Sequence, residues 1–136
     1  MDNKNETLII NLRKLYEQYG YKKISLPTFE EYDLYSEYRD FIKSEKILTL
    51  MTPEGKLEAL IHDITLSVEK NFATDKNIKS EKIYYVENIY RFSKMNGYKE
   101  KRQLGIELIG TETEFLNYEI TNLALKSLQE INQNYI

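Results

Sequence analysis

A chain of 136 residues suits one compact domain that buries a core without help from metals or disulfides, and the absence of cysteine leaves no thiol chemistry. The 19 basic and 22 acidic residues, net −3, are mixed along the chain, which argues against the one-sided basic footprint of a nucleic-acid surface; Lys99, Lys101 and Arg102 are too few to make one. No apolar run approaches the roughly 20 residues that cross a bilayer, and the polar opening "MDNKNETLII" lacks a signal peptide's basic-then-apolar layout, so a soluble, cytoplasmic protein with no membrane contact is expected.

From Glu6 to Tyr19, apolar residues fall at Leu8, Ile9, Leu12, Leu15, Tyr16 and Tyr19. That spacing predicts a helix, with Gly20 as its C-terminal cap. In "YKKISLPTF", Ile24 and Leu26 alternate with polar residues, and Pro27 closes a strand. "TFEEYDLYSEYRDF" is polar and tyrosine-rich and reads as helical turns mixed with loop. "KILTLM" and "KLEAL" flank the turn chemistry of "TPEG" and read as a hairpin. Asp63 is placed to cap a helix over Ile64 to Phe72, and "TDKNIKSE" is a polar loop. "KIYYVENIYRF" is the strongest strand signal. Asn96-Gly97 is a turn dipeptide, and "RQLGIELIG" is a second strong strand. Thr111 with Glu114 matches a capping box. Leu116, Ile120, Leu123, Leu128 and Ile131 make a helical stripe after it. The order predicts an α+β fold with a mostly antiparallel sheet flanked by helices, as one domain over 1–136.

In "QLGIELIG", Leu104, Ile106 and Leu108 alternate with Gln103, Gly105 and Glu107. Side-chain alternation sends the first set to the core and the second to the other face. Antiparallel pairing across the Asn96-Gly97 turn is expected to bring Arg91 near Gln103 and Glu87 near Glu107, with Gly105 leaving open space among them. A guanidinium fork takes carboxylate or phosphate, an amide donates and accepts, and glutamates hold ammonium. That equipment suits a zwitterionic small molecule. The competing reading is an antiparallel sheet with one solvated face. Twelve tyrosines without a tryptophan suit half-buried faces, where rings pack and hydroxyls stay bonded.

"GYKKISLPTFE", "TPEGKLEALIHDITLSVEKN" and "KIYYVENIYRFSKMNGYKEKRQLGIELIG" together resemble consecutive segments of the histidyl-tRNA synthetase-type class II catalytic core. The likeness is closest to its paralogue, the regulatory subunit of ATP phosphoribosyltransferase. The block from Tyr90 to Gly110 resembles class II motif 2. "GYKKISLPTFE" resembles motif 1, which implies a homodimer interface. The resemblance implies an antiparallel sheet flanked by helices, the N-terminal part of a catalytic-like core, with the substrate on one sheet face. It implies an amino-acid pocket of Asp63, Thr65, Gln103 and Glu107. It also implies a phosphate- or carboxylate-contacting role for Arg91. No catalytic residue, metal or cofactor is expected.

Departures from the pattern separate the paralogues. Ser93 stands two places after Arg91, where a synthetase carries an acidic residue. Motif 3 and the anticodon-binding domain are expected to be missing from a chain that stops at Ile136. Adenylation would then lack the charge stabilisation that dominates such chemistry. The expected function is therefore a non-catalytic regulatory subunit of short-form ATP phosphoribosyltransferase in histidine biosynthesis. It would partner the catalytic subunit and convey feedback by histidine, its candidate ligand. The alternative is a reduced class II synthetase-like protein that binds or adenylates an amino acid. In "ALIHDIT" the resembling segment reads "A-L-R-P-D-x-T", so Ile61 replaces an arginine and His62 a proline. The lone histidine is given no matched role. As a general base oriented by Asp63 it fails, because adjacent residues of an extended segment point to opposite faces.

Overall fold

The computed structural model describes residues 3–37, 47–72, 80–110 and 113–132. The elements in order are α1 (Asn3–Gln18), β1 (Lys22–Lys23), β2 (Phe29–Glu31), α2 (Tyr32–Glu37), β3 (Thr49–Met51), β4 (Leu57–Leu60), α3 (Ile64–Phe72), β5 (Ser80–Ser93), β6 (Gly97–Gly110) and α4 (Glu114–Ile131). One sheet has the order β1-β5-β6 and the other β2-β4-β3. β4 pairs antiparallel with both β2 and β3, while β1 runs parallel to β5 through Lys22 opposite Ile83. The chain divides into two compact units. The first comprises Met1–Ile24, Asp75–Tyr85 and Leu104–Ile136, and the second comprises Ser25–Thr74 and Val86–Gln103.

The first unit packs α1 and α4 over a core of Leu12, Tyr16, Tyr21, Tyr84 and Leu123. Leu104 and Ile106 join it, as alternation along β6 requires. Burial of each such side chain stabilises by about 1.5–3 kcal/mol. Two of the three tyrosines here bond their hydroxyls, Tyr16 to Ser127 at 3.0 Å and Tyr84 to the Glu17 carboxylate at 2.6 Å, whereas the buried Tyr21 hydroxyl has no partner among the described residues. α1 ends at Gly20, whose φ of 80° lets the Tyr21 amide return to the Tyr16 carbonyl at 3.0 Å. The Gly20 amide meets Glu17 O at 3.0 Å, which completes a Schellman cap. α4 carries its stripe only in part: Leu123 is buried, whereas Leu128 and Ile131 are exposed.

The second unit folds α2 and α3 with the three short strands and the tip of the β5–β6 hairpin. Its buried residues include Tyr35, Ile47, Ala59, Ile61, Ile64, Val68 and Ile89. The "TPEG" turn closes β3 on β4: Thr52 N–H donates to Lys56 O at 2.8 Å, and Gly55 has φ 81°.

Three expectations are corrected. "KKISL" yields only the two-residue β1, because after one further amide bond (Ile24 N–H to Tyr84 O, 3.0 Å) the chain leaves β5. "TFEE" contains the strand β2, hidden from the sequence because only Glu30 of its three residues is buried, so the apolar alternation is absent. The cap of α4 is Thr113, whose hydroxyl accepts the Leu116 amide at 3.2 Å. Thr111, most of "TDKNIKSE" and the stretch "YRDF" lie outside the described residues.

Replacing Gly20 by Ala forces a Cβ into the left-handed region. The expected cost is about 1–2 kcal/mol, visible as a lower urea midpoint with an unchanged slope. An unchanged midpoint would contradict the cap.

Candidate functional site

The site begins at the corner where β4 gives way to α3. Ile61 extends the strand geometry, donating its N–H to Thr28 O and accepting from the Tyr90 N–H, both at 3.0 Å. Its side chain is 2% exposed. Two residues on, Asp63 caps α3 as the sequence predicts: its Oδ1 accepts the Leu66 amide at 3.2 Å and its carbonyl the Ser67 amide at 3.4 Å. Such a cap stabilises by about 1 kcal/mol. Thr65 lies in the first turn of α3 and is exposed.

His62 is built into this corner, a role the sequence does not show. Its backbone N–H donates to the Tyr35 hydroxyl at 3.0 Å. Its Nδ1 lies 3.1 Å from Tyr90 O. A carbonyl only accepts, so Nδ1 carries the proton. The Tyr35 and His62 rings meet edge to face at 6.5 Å. The group that orients the imidazole at Nδ1 is therefore the Tyr90 carbonyl.

Beneath the corner, Glu30 is buried in β2 and accepts from two hydroxyls, Tyr35 at 2.6 Å and Ser67. Burial, and then the bond to Glu30, push the Tyr35 hydroxyl well above its ordinary pKa. No sequence signal marks this network, since "TFEEYDLY" reads as surface.

Arg91 arrives from β5, and its Nε donates to His62 O at 3.5 Å. The hairpin register differs from expectation. Lys94, Met95 and Asn96 form a short turn, with the Asn96 amide on Ser93 O at 3.2 Å and Gly97 at φ 67°. Phe92 then packs on Tyr98 with ring centroids 5.1 Å apart. The Tyr90 hydroxyl and the Asn88 amide donate to Glu100 at 3.2 and 2.5 Å. These contacts align Arg91 with Lys99 and Glu87 with Gln103, in place of the expected Gln103 and Glu107. The displacement is an even number of residues, so odd-numbered side chains keep their face. Glu87 also accepts the Leu26 amide at 3.2 Å, a backbone-holding role. The space left by Gly105 is not open. A Cβ there would overlap the ring and hydroxyl of Tyr85, which is buried.

Of the five residues expected at the site, Asp63, Thr65, Arg91 and Gln103 belong to the second unit and Glu107 to the first. The structure brings Arg91 to the corner that carries Asp63 and Thr65. A carboxylate there can hold an ammonium group, and a guanidinium can hold a carboxylate or phosphate. Gln103 stands across the hairpin from Glu87 and is half-buried. Among the described residues no group of three or more His, Asp or Glu side chains could hold a metal ion.

The architecture matches solved class II synthetase-like folds. It superposes on an ATP phosphoribosyltransferase regulatory subunit/histidyl-tRNA synthetase from Bacillus halodurans with a TM-score of 0.79 and 22% identity, over 95% of this chain and 34% of that one. Apo histidyl-tRNA synthetase from S. aureus gives 0.75 and 24%, over 98% and 36%. The family model for histidyl-tRNA synthetase matches residues 2–136, and the chain belongs to that family.

Relatives of both kinds are similar. Histidine–tRNA ligase of Methanococcus maripaludis is 33% identical over 97% of this chain and 33% of its own length. ATP phosphoribosyltransferase regulatory subunits of Clostridium novyi and Oceanobacillus iheyensis are 34% and 26% identical over 88% and 94% of the chain, and 30% and 32% of their own lengths. The chain thus spans about a third of the length of the curated relatives it matches.

Gly105→Ala is expected to destabilise by about 1–3 kcal/mol through the Tyr85 overlap. In a Tyr85→Ala background the same change should cost far less. Additive losses in a double-mutant cycle of denaturant midpoints would show that Tyr85 does not fill the gap.

Proposed function

We propose that this chain is a synthetase-like domain of a non-catalytic regulatory subunit of short-form ATP phosphoribosyltransferase, acting in the cytoplasm in histidine biosynthesis. It binds the catalytic subunit, is needed for its activity and conveys inhibition by histidine, a coupling between two sites. Both units are parts of one synthetase-like domain that forms a homodimer through the motif 1-like segment. The amino-acid ligand residues of the second unit are Asp63, Thr65 and Gln103, with Arg91 for a carboxylate.

The observation that carries the non-catalytic reading is Ile61. Its side chain is buried at the position where the synthetase-type segment has an arginine. The corner therefore lacks one fixed positive charge. Ser93, two places beyond Arg91, contributes no carboxylate for seating ATP. Fixed charges of this kind are what adenylation depends on. The named regulatory-subunit relatives support the same reading.

The second reading, a synthetase-like protein that binds or adenylates an amino acid, is favoured by the equally similar histidine–tRNA ligases. Histidine-dependent pyrophosphate exchange separates the two: activity supports the second and removes the first.

Mixed with a short-form catalytic subunit, the chain should form a complex and raise transferase activity, and histidine should lower it. Absence of both complex and activation would sink the regulatory reading. In a calorimetric titration, Asp63→Asn, which keeps the helix cap, should weaken histidine binding about tenfold or more through loss of a charge-assisted bond. Equal affinity for the two proteins would remove Asp63 from the pocket.

A further inference from the structure

Glu30 occupies a position that an apolar side chain could fill at lower desolvation cost. It is 5% exposed, lies in β2 beside Ala59 of β4, and among the described residues its carboxylate is bonded by hydroxyls, those of Tyr35 and Ser67. A buried carboxylate is tolerated only where its oxygens are bonded. What it does in return can be read from the direction of those bonds.

The Tyr35 hydroxyl donates its proton to Glu30 at 2.6 Å, which leaves the phenol oxygen as acceptor for the His62 N–H at 3.0 Å. That N–H sits between the last β4 rung, Ile61, and the Asp63 cap, and neither takes it. The other Glu30 oxygen holds Ser67, 0% exposed and one turn into α3. The same carboxylate thus grips the chain at His62 and at Ser67. The segment between these two points contains Asp63 and Thr65. In the resembling segment a proline stands in place of His62, with no N–H to satisfy and a locked φ. Here hydrogen bonds of His62, to Tyr35 and to Tyr90 among others, provide the stiffness.

We propose that Glu30 is a positioning residue: through the hydroxyls of Tyr35 and Ser67 it fixes the His62–Ser67 corner, and with it the Asp63 carboxylate and Thr65 hydroxyl, in the orientation that binds an amino acid. This rests on the reading of Asp63 and Thr65 as ligand residues given above.

The test uses Tyr35→Phe and Glu30→Gln in the whole chain, read by site-specific amide hydrogen exchange and by calorimetry with L-histidine. Exchange at the His62 amide should quicken at least about fivefold in both, the scale of one lost hydrogen bond. Exchange at the Leu60 amide, bonded to Leu48 O, should stay within about twofold. The Kd for L-histidine should rise about three- to tenfold. Unchanged exchange at His62, or a rise shared equally with Leu60, overturns the relay. Faster exchange at His62 with an unchanged Kd overturns its role in positioning the ligand. Should Glu30→Gln fail to fold, Tyr35→Phe, which removes a single oxygen, decides alone. If the unmodified chain binds no L-histidine, the proposed ligand fails, while the exchange measurement still decides whether the relay holds the corner.

Discussion

The chain must turn from β4 into α3 within three residues, Ile61 to Asp63, and much of the candidate site depends on how that corner is held. Backbone bonds that continue through Ile61 and a helix beginning after Asp63 leave His62 with an amide that belongs to neither ladder. A buried amide without a partner costs about 1–3 kcal/mol. The protein meets this locally with the Tyr35 hydroxyl. It then anchors that hydroxyl on a buried carboxylate, which fixes its direction. The imidazole adds a second tie, to Tyr90 O, and Arg91 a third, to His62 O. Two elements distant in sequence, α2 and β5, thus converge on one residue that is neither strand nor helix.

The hairpin turn is the second constraint. With only Lys94 to Asn96 between the strands, the register follows from the loop, and Gly97 supplies the positive φ that such a connection needs. The register decides which groups on β6 face Glu87 and Arg91. It also sets Tyr85 against Gly105, so glycine serves there to admit a tyrosine ring. An apparent gap in a one-strand reading is a packing requirement once the partner strand is placed.

What was legible follows the same division. Local signals were reliable: the α1 periodicity, Gly20 as a cap, the "TPEG" hairpin, the Asp63 cap with α3 from Ile64 to Phe72, and the two long strands all depend on neighbouring residues. Alternation along β6 correctly sent Leu104 and Ile106 to the core. The failures are non-local. β2 forms because β4 pairs with it, through Glu30 opposite Ala59, and nothing in "TFEE" alone demands a strand. The register needed the turn length, and the purpose of Gly105 needed Tyr85. His62 looked idle because its partners lie 27 and 28 residues away along the chain.

For function, the decisive physical contrast is between a group that holds a ligand and a group that also drives chemistry on it. Asp63, Thr65, Arg91 and Gln103 are of types that recognise charge and hydrogen-bonding pattern, which is all a regulatory site requires. Adenylation needs more, because charge at the transferring phosphate must be met by preorganised cations in a dry site. Ile61 is a buried hydrocarbon at the corner. An arginine at the same backbone position would have to bring its guanidinium out of that core or pair it there, since an unpaired buried charge is costly. The apolar residue removes that demand and leaves a corner stiffened by hydrogen bonds. On the proposed reading such a corner would suffice to discriminate an amino acid, because recognition needs fixed geometry even where no transition state has to be stabilised.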